Sequence, residues 1–544
     1  MNEARARANA EGKGPPQGSV ARTSITGHLV RKRAMAEPIV NHLFGLVRTH
    51  CPADPGAKVF IETSDGARYT YADLLARSGA YASALRALGV KPGDRVAVQV
   101  EKSAEVIFLY LGAVRAGAVF LPLNTAYTGP EIAYFLGDAE PALFVCDPAR
   151  EADLSAVAGQ AGVPQTRTLD AAGHGSMAEA ADAASPDFAD VPRGADDLAA
   201  ILYTSGTTGR SKGAMLSHDN LASNALTLAQ YWHFTERDVL IHALPVFHTH
   251  GLFVATNIVL ATGGTMLFLP RLDAKKILEL MPRATAMMGV PTFYTRLLKE
   301  PGLTREAAAH MRLFVSGSAP LLAETHREWA QRTGHAILER YGMTETNMNT
   351  SNPYEGARRA GTVGFPLPGV TLRVVDPETG APLGPEEVGM IEVKGPNVFQ
   401  GYWRMPEKTA AELKVDGFFI TGDLGKIDRD GYVHIVGRGK DLIITGGYNV
   451  YPKEIEVEID ALPGVVESAV IGLAHPDFGE GVTAVVVPGE GAPDEAAVLA
   501  ALEGRLAKYK CPKRVLFAAE LPRNAMGKVQ KNLLRDTHAD LYRN

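Results

Sequence analysis

What this chain lacks narrows its function before any motif is weighed. In 544 residues there are three cysteines, Cys51, Cys146 and Cys511. They lie far apart and form no metal-ligand or redox spacing, so a disulfide scaffold, a zinc module and a dithiol centre are set aside. Reduced, incidental thiols are expected. Positive charge is not in excess, because 55 Lys and Arg face 61 Asp and Glu and leave a net charge of −6. With no strongly basic domain and no interleaving of aromatic and basic residues, nucleic-acid binding is not expected as the main task. No stretch reads as a membrane span. The most apolar one, Val106 to Leu123, carries Arg115 and two glycines and reads as a core helix followed by a strand. Internal repeats and a secretory apolar core are missing too. Residues 1–35 are instead rich in Arg and Lys and read as a disordered basic tail or a transit-like extension, with Met35 as an alternative start. A cytoplasmic protein is expected, organellar targeting by the tail being the open alternative.

What is present is an ordinary globular composition, 46% hydrophobic and 21% charged. The length is too great for a single core. From about residue 36 to 435, apolar runs such as Arg95–Val100, Ala142–Cys146 and Leu313–Ser316 alternate with amphipathic windows such as Leu321–Arg332. That alternation predicts parallel sheets covered by helices. Residues Ala171 to Asp197, rich in Ala, Asp and Gly, read as a surface connector. Gly437-Arg-Gly-Lys-Asp441 suits a hinge, and the remaining hundred or so residues carry strand and helix patterns of their own. The expected fold is α/β. A large N-terminal domain (36–438) of mainly parallel sheets would be followed by a small, mobile α+β lid domain (439–544).

One segment carries chemistry directly. The apolar run Leu198–Leu202 leads into Tyr203-Thr-Ser-Gly-Thr-Thr-Gly-Arg-Ser-Lys-Gly213. Glycines let backbone N–H groups approach an anion, hydroxyls add donors, and Lys212 adds charge, so a phosphate site is predicted. The spacing is not that of a Walker A loop, since Gly206, Gly209 and Lys212 are three apart and Lys212 precedes Gly213. Four further segments are hard to explain as scaffold: Ser316-Gly-Ser-Ala-Pro320, Glu339-Arg-Tyr-Gly-Met-Thr-Glu345, Thr421-Gly-Asp-Leu424 and Pro522–Val529, which contains Lys528. Each is weak alone; their order and spacing together are strong.

Together these segments resemble the adenylate-forming superfamily of acyl-CoA synthetases, peptide-synthetase adenylation domains and luciferases, over about residues 36 to 544. Around Gly289–Arg296 and Tyr341–Pro353 the chain looks most like the malonate-activating members. The resemblance implies ATP, Mg²⁺ and coenzyme A as reactants or cofactors, with no nucleic-acid or membrane partner and an undetermined oligomeric state. It implies that Thr204, Ser205, Gly206, Thr207, Thr208, Gly209 and Lys212 hold the β- and γ-phosphates. Thr204 and Glu345 would hold the metal. Gly317, Ala319, Pro320, Tyr341, Gly342, Met343 and Thr344 would frame adenine and the α-phosphate. Asp423, helped by Arg438, would bind ribose, and Lys528 would contact the reacting carboxylate and α-phosphate. Lys440 falls at the hinge position, and Gly446 and Gly447 border the pantetheine channel. Lys528, Lys212 and Glu345 are the expected catalytic groups.

For the acid, the pocket is expected to be lined by His248, Thr249, His250, residues 289–296, Ser318 and Met343. Arg296, one helical turn past Pro291-Thr292, is expected to be buried and to need the second carboxylate of a diacid as partner. Malonate follows, with Ser318, His248 and Thr249 as further contacts. Arg312 is the lesser candidate, since it precedes a buried strand and suits a loop anchor. The paired histidines lack a third metal ligand and read as pocket lining. The expected reaction is ATP-dependent ligation of malonate to coenzyme A, releasing AMP and pyrophosphate. A short-chain or methylmalonate synthetase is the alternative within the superfamily, and a non-catalytic acyl-CoA or ATP sensor the alternative outside it.

Overall fold

The structure is a computed structural model that describes residues 40–204, 211–445, 448–503, 505–506, 508–524 and 527–542. The basic tail therefore lies outside the described residues, as do residues 205–210 and 446–447.

Four sheets occur among the described residues. In the largest, six strands run parallel. Their spatial order is Leu338–Met343, Leu313–Ser316, Ala286–Gly289, Val239–His242, Thr265–Phe268 and Val59–Thr63, with antiparallel strands added at both edges. A six-stranded sheet holds parallel strands Thr166–Thr168, Leu143–Cys146, Arg95–Gln99, Val119–Pro122 and Leu198–Thr204, closed by antiparallel Lys212–Ser217. Parallel strands are covered on both faces and so read as continuous apolar runs; Leu313–Ser316 and Leu143–Cys146 are buried at every position. The helix Ala104–Arg115 and the strand Val119–Pro122 occupy the most apolar stretch and are buried at every position but Glu105. No helix among the described residues is long and apolar enough to cross a membrane.

An antiparallel four-stranded sheet follows (Thr371–Val375, Gly389–Lys394, Phe419–Ile427, Val433–Arg438). After the short turn Gly439–Asp441 comes a smaller five-stranded sheet built on the long hairpin Val465–His475 with Gly479–Pro488. Helices Pro452–Asp460 and Glu495–Leu502 pack Ile455, Ile459, Val498 and Leu502 onto its apolar face. The mixed α/β class with a large parallel-sheet region and a smaller C-terminal region is as expected from the sequence.

The connector expected over Ala171–Asp197 is packed rather than loose. Helix Ser176–Asp182 buries Met177 and Ala181, Phe188 is buried, and Asp190 bonds both Arg115 and Arg48 at 2.6 Å. Its polar composition hides a carboxylate that neutralises the buried Arg115.

Candidate active site

Several predicted site residues, Thr204, the turn Gly317–Pro320 and Tyr341–Thr344, stand at the C-terminal ends of parallel strands, where open α/β sheets place their ligands. Strand Leu313–Ser316 runs beside Leu338–Met343 with Ser316 opposite Glu339, so the turn Gly317–Pro320 and residues Arg340–Thr344 share one edge. Ser318 adopts φ +71, a left-handed conformation that is strained for a residue with a side chain and that recurs at ligand sites. Its Oγ lies 3.3 Å from His250 Nδ1.

The phosphate-loop candidates Ser205, Gly206, Thr207, Thr208 and Gly209 lie outside the described residues, but the segment's two anchors are clear. Thr204 ends one strand and Lys212 opens the next, antiparallel and in register with it. Thr204 Oγ1 donates to Glu345 Oε1 over 3.4 Å. Lys212 is buried, its Nζ 2.9 Å from Tyr402 Oη, 3.3 Å from Glu412 Oε2, and 4.1 Å above the Tyr402 ring. The Tyr402 hydroxyl also lies 3.1 Å from Glu345 Oε1 and 2.7 Å from Glu412 Oε2. Burial and the two carboxylates push its pKa upward, so it stays protonated as the bridge between them. Burial opposes ionisation of Glu412, yet bonds from Lys408 and Tyr402 and the charge of Lys212 hold its carboxyl below the usual range. Sequence reasoning missed Tyr402 and Glu412, which stand outside every recognised segment.

Asp423 is buried at the centre of a second constellation. It pairs across the sheet with Arg438, whose Nε donates to Oδ1 at 2.7 Å, and Tyr341 Oη donates to Oδ2 at 2.5 Å. Each carboxylate oxygen keeps a second lone pair, so the group can still accept from a ligand's hydroxyls. The Asp423 charge holds the Arg438 pKa up.

Lys528 reaches this space from the far end of the chain. Its backbone N–H donates to Asn524 Oδ1, and the neighbouring Gly527 faces Thr292 at the start of helix Pro291–Leu298. Burial lowers the Lys528 pKa, helped by the positive charges of Arg438 and Arg340, while Asp423 and Glu345 oppose the shift. Four ionisable groups from three other chain segments thus act electrostatically on Lys528.

The histidine pair closes the other side. Burial pushes His248 down to about 3, with Lys528 and Arg340 adding to the effect, so it is neutral at physiological pH. Burial likewise keeps His250 neutral. Both sit where the chain enters a π-helical turn, His250–Thr256, an uncommon form that marks functional sites. Gly251 is required there, since a Cβ would meet the Pro245 carbonyl oxygen at 2.0 Å. Lys102 Nζ donates to His242 Nδ1 at 2.9 Å, and His242 Nε2 donates to Gly251 O at 2.9 Å, fastening the turn from beneath. Thr249 Oγ1 and His250 Nε2 are buried without a hydrogen-bond partner among the described residues. No cluster of three metal-ligating side chains exists among the described residues.

Of the two expectations about arginines, that for Arg296 is revised and that for Arg312 holds. Arg296 is exposed, not buried. Helix Pro291–Leu298 buries Phe293, Tyr294, Leu297 and Leu298, and Arg296 stands on its other side. It lines a groove of about 310 Å³ together with Arg523, Asn524 and Gly527. Arg312 bonds Asp238 at 2.7 Å and the Trp232 carbonyl, so it is a loop anchor. The buried arginine of the site is Arg340, 3% exposed, which went unnoticed beside the more conspicuous Tyr341. Among the rest, Ala319, Met343 and Thr344 are partly buried at the shared edge and Pro320 is exposed. Lys440 is exposed in the turn Gly439–Asp441, and Gly446 and Gly447 lie outside the described residues.

Such a site can bind a nucleotide's ribose at Asp423 and place two lysines against phosphate and carboxylate oxygens. That is the equipment of an enzyme that activates acids with a nucleotide, and comparison with known proteins agrees. Residues 47–403 match the family described as AMP-binding enzyme, and residues 454–528 match the AMP-binding enzyme C-terminal domain. The chain belongs to this family. It is 36% identical over 480 residues to the malonate–CoA ligase of Arabidopsis thaliana, spanning 82% of this chain and 78% of that protein. It is 38% identical over 475 residues to a feruloyl-CoA synthase of an Amycolatopsis species, spanning 86% and 94%. The ATP-bound crystal structure of MatB from Rhodopseudomonas palustris superposes with a TM-score of 0.90 at 65% identity, covering 92% of this chain and all of that one.

Proposed function

We propose that the protein ligates malonate to coenzyme A with ATP, through a malonyl-adenylate, giving malonyl-CoA, AMP and pyrophosphate. The observation that supports adenylation is that Asp423, Arg438, Glu345 and Arg340 all act electrostatically on Lys528. A carboxylate is a poor acylating agent, because oxide is a poor leaving group. Attack of one malonate oxygen on the α-phosphorus forms an O–P bond and expels pyrophosphate. Charge then builds on the α-phosphate and the departing group, where preorganised cations lower the barrier. Lys528 would serve the carboxylate and α-phosphate. Lys212, together with Thr204 and residues 205–209, would serve the β- and γ-phosphates, and Tyr402 and Glu412 would orient the Lys212 ammonium meanwhile. Asp423, held by Tyr341 and Arg438, would take the ribose hydroxyls. Gly317, Ala319, Pro320 and residues 341–344 would border adenine.

The Thr204 hydroxyl and Glu345 carboxylate are hard oxygen donors close together, a donor set that suits Mg²⁺ shared with phosphate oxygens. Bound there, the ion would neutralise phosphate charge. In the second half-reaction the coenzyme A thiol forms the C–S bond and AMP leaves with the C–O electron pair. The thiol would enter beside Gly446 and Gly447, and rotation about Lys440 between the domains 36–438 and 439–544 would withdraw Lys528.

The acid is assigned from the likeness to a malonate–CoA ligase together with a polar acyl wall of His248, Thr249 and Ser318, which ill suits an aromatic or fatty acid. Arg296 is kept as a groove-side contact for malonate. The test is a substrate panel of acetate, butyrate, malonate, methylmalonate and succinate, scored for the nucleotide product. AMP with malonate preferred is expected. ADP as product would end the adenylation reading, and equal use of butyrate would end the assignment to a diacid.

A further inference from the structure

Strand Gly389–Lys394 runs out into an irregular segment, residues 395–403. One side of this segment pairs with the strand Lys212–Ser217. Met215 N–H donates to Gly401 O at 3.0 Å, Gln400 N–H to Met215 O at 2.9 Å, and Trp403 N–H to Gly213 O at 2.7 Å. The other side grips the turn that carries Glu345. Phe399 N–H donates to Glu345 O at 2.8 Å, and Asn397 Nδ2 donates to Thr346 O at 2.7 Å. Tyr402 Oη lies 3.1 Å from Glu345 Oε1. Residues 395–403 thus form a strap between the strand of Lys212 and the turn of Glu345. Asn220, the third residue of helix His218–Tyr231, holds the strap by Nδ2 bonds to Pro396 O at 2.7 Å and Val398 O at 2.9 Å.

Asn397 is 1% exposed, a depth at which an amide is costly unless it is bonded. Its Nδ2 faces three oxygens: Thr346 O, Met348 O at 3.1 Å and Asn349 Oδ1 at 3.1 Å. That fixes which end of the amide points there, because an oxygen in its place would meet three others. Its Oδ1 lies against Gly395, where a Cβ would come within 2.5 Å of it. The turn is one that needs holding. Asn347 adopts φ +48, and its carbonyl oxygen presses on Gly342, where a Cβ would lie 1.9 Å away. Left-handed backbone at a residue with a side chain persists where the surroundings over-determine it. Asn397 bonds the carbonyls on either side of Asn347, at Thr346 and Met348.

We propose that Asn397 is a positioning residue for Glu345: through Thr346 O and Met348 O it keeps that carboxylate in fixed relation to Lys212 across the strap. This rests on the reading of Thr204 and Glu345 as the donors for Mg²⁺. Asn397 touches neither the ion nor the nucleotide, and its effect is confined to the metal-dependent half-reaction. Binding of AMP at Asp423 and attack of the thiol on the adenylate do not draw on Glu345.

The experiment uses the full-length wild type, Asn397→Ala, Asn397→Ser and Glu345→Gln. Pyrophosphate release from ATP and malonate is measured against Mg²⁺ concentration. Mn²⁺ binding in the presence of ATP is followed by electron paramagnetic resonance. Thioester formation from preformed malonyl-adenylate and coenzyme A is timed, and protection by AMP against heat reports a formed nucleotide site. For Asn397→Ala, the Mg²⁺ concentration at half-maximal rate and the Kd for Mn²⁺ are expected to rise about 10- to 100-fold, the range for partners that orient metal ligands. Asn397→Ser keeps one donor on a shorter side chain and should fall between that variant and the wild type. AMP protection and thioester formation should change little in either. A rise that falls short of that range in a folded Asn397→Ala overturns the inference. Equal loss in both half-reactions does so too, as does loss of AMP protection in both variants, since either makes Asn397 part of the general scaffold. If Glu345→Gln itself leaves the Mg²⁺ requirement unchanged, the parent assignment falls and this one with it. A requirement raised by Glu345→Gln but not by Asn397→Ala overturns this inference alone.

Discussion

Replacing Lys528 by alanine is expected to separate the two half-reactions. Burial lowers the Lys528 pKa, so its ammonium stands in a weakly screened setting where an electrostatic contact counts for more than in water. Removing one such preorganised contact to charge that develops in a transition state costs about 10²–10³ in rate, roughly 3–4 kcal/mol. Pyrophosphate release from ATP and malonate should fall by that factor. Thioester formation from preformed malonyl-adenylate and coenzyme A should change little, because the thiol attacks after the charge on pyrophosphate has gone. A pH profile adds a second readout. An ordinary lysine loses its proton near 10.5, and the downward shift moves that loss to lower pH. The kcat/KM for adenylation, which reports the free enzyme, should therefore decline as pH rises through the lowered value. Lys528→Arg keeps its charge to pH above about 12 and should lose this decline. Equal damage to both half-reactions in Lys528→Ala, or an alkaline decline that persists in it, would refute the assigned role.

Three further outcomes are expected. Asp423→Ala strands Tyr341 and Arg438 and should raise the ATP KM at least tenfold with a smaller effect on malonate; nucleotide titrations check this, and an unchanged ATP KM would place the ribose elsewhere. Arg296→Ala should raise the malonate KM by less than tenfold, the range that exposed ion pairs of about 0.2–1 kcal/mol allow, and a larger rise would return the chief carboxylate contact to Arg296. Glu339 is pushed by burial from 4.5 up to about 8, so the stability tied to its protonated form is complete below pH 4.5 and lost as pH rises through 8. Glu339→Gln imitates that form, and its melting temperature should gain on the wild type's between pH 6 and pH 9; a gap that stays constant would contradict the raised pKa.

Much of the architecture could be read from the chain because parallel strands leave continuous apolar runs. Leu313–Ser316 and Leu198–Thr204 were located by that signal, and the helix over residues 323–333 by its periodicity. The candidates for the proposed nucleotide side, Asp423, Glu345 and Lys528, could be picked out because they stand in short, ordered segments. Those for the acid side could not. Whether a strand residue faces a pocket depends on pairings formed over distance, and Arg340 is aimed inward by strands that begin at residues 313 and 347. Arg296 is a different case, since the signal was present: apolar residues at 293, 294, 297 and 298 define the buried stripe, and 296 falls outside it. The roles of Tyr402 and Glu412 arise where the strand Lys212–Ser217 meets residues 400–403, a contact no local pattern announces.

The seven-residue π turn beginning at His250 has a consequence for how this gene can vary. Such a turn stores surplus chain length, and excising one codon from it would let ordinary helical winding resume while swinging everything upstream by about 100°. His248 and Thr249 would then face another quarter, with Lys102 and His242 still gripping the old one. Substitutions in this stretch should be tolerated unevenly, but single-residue deletions should be purged almost without exception.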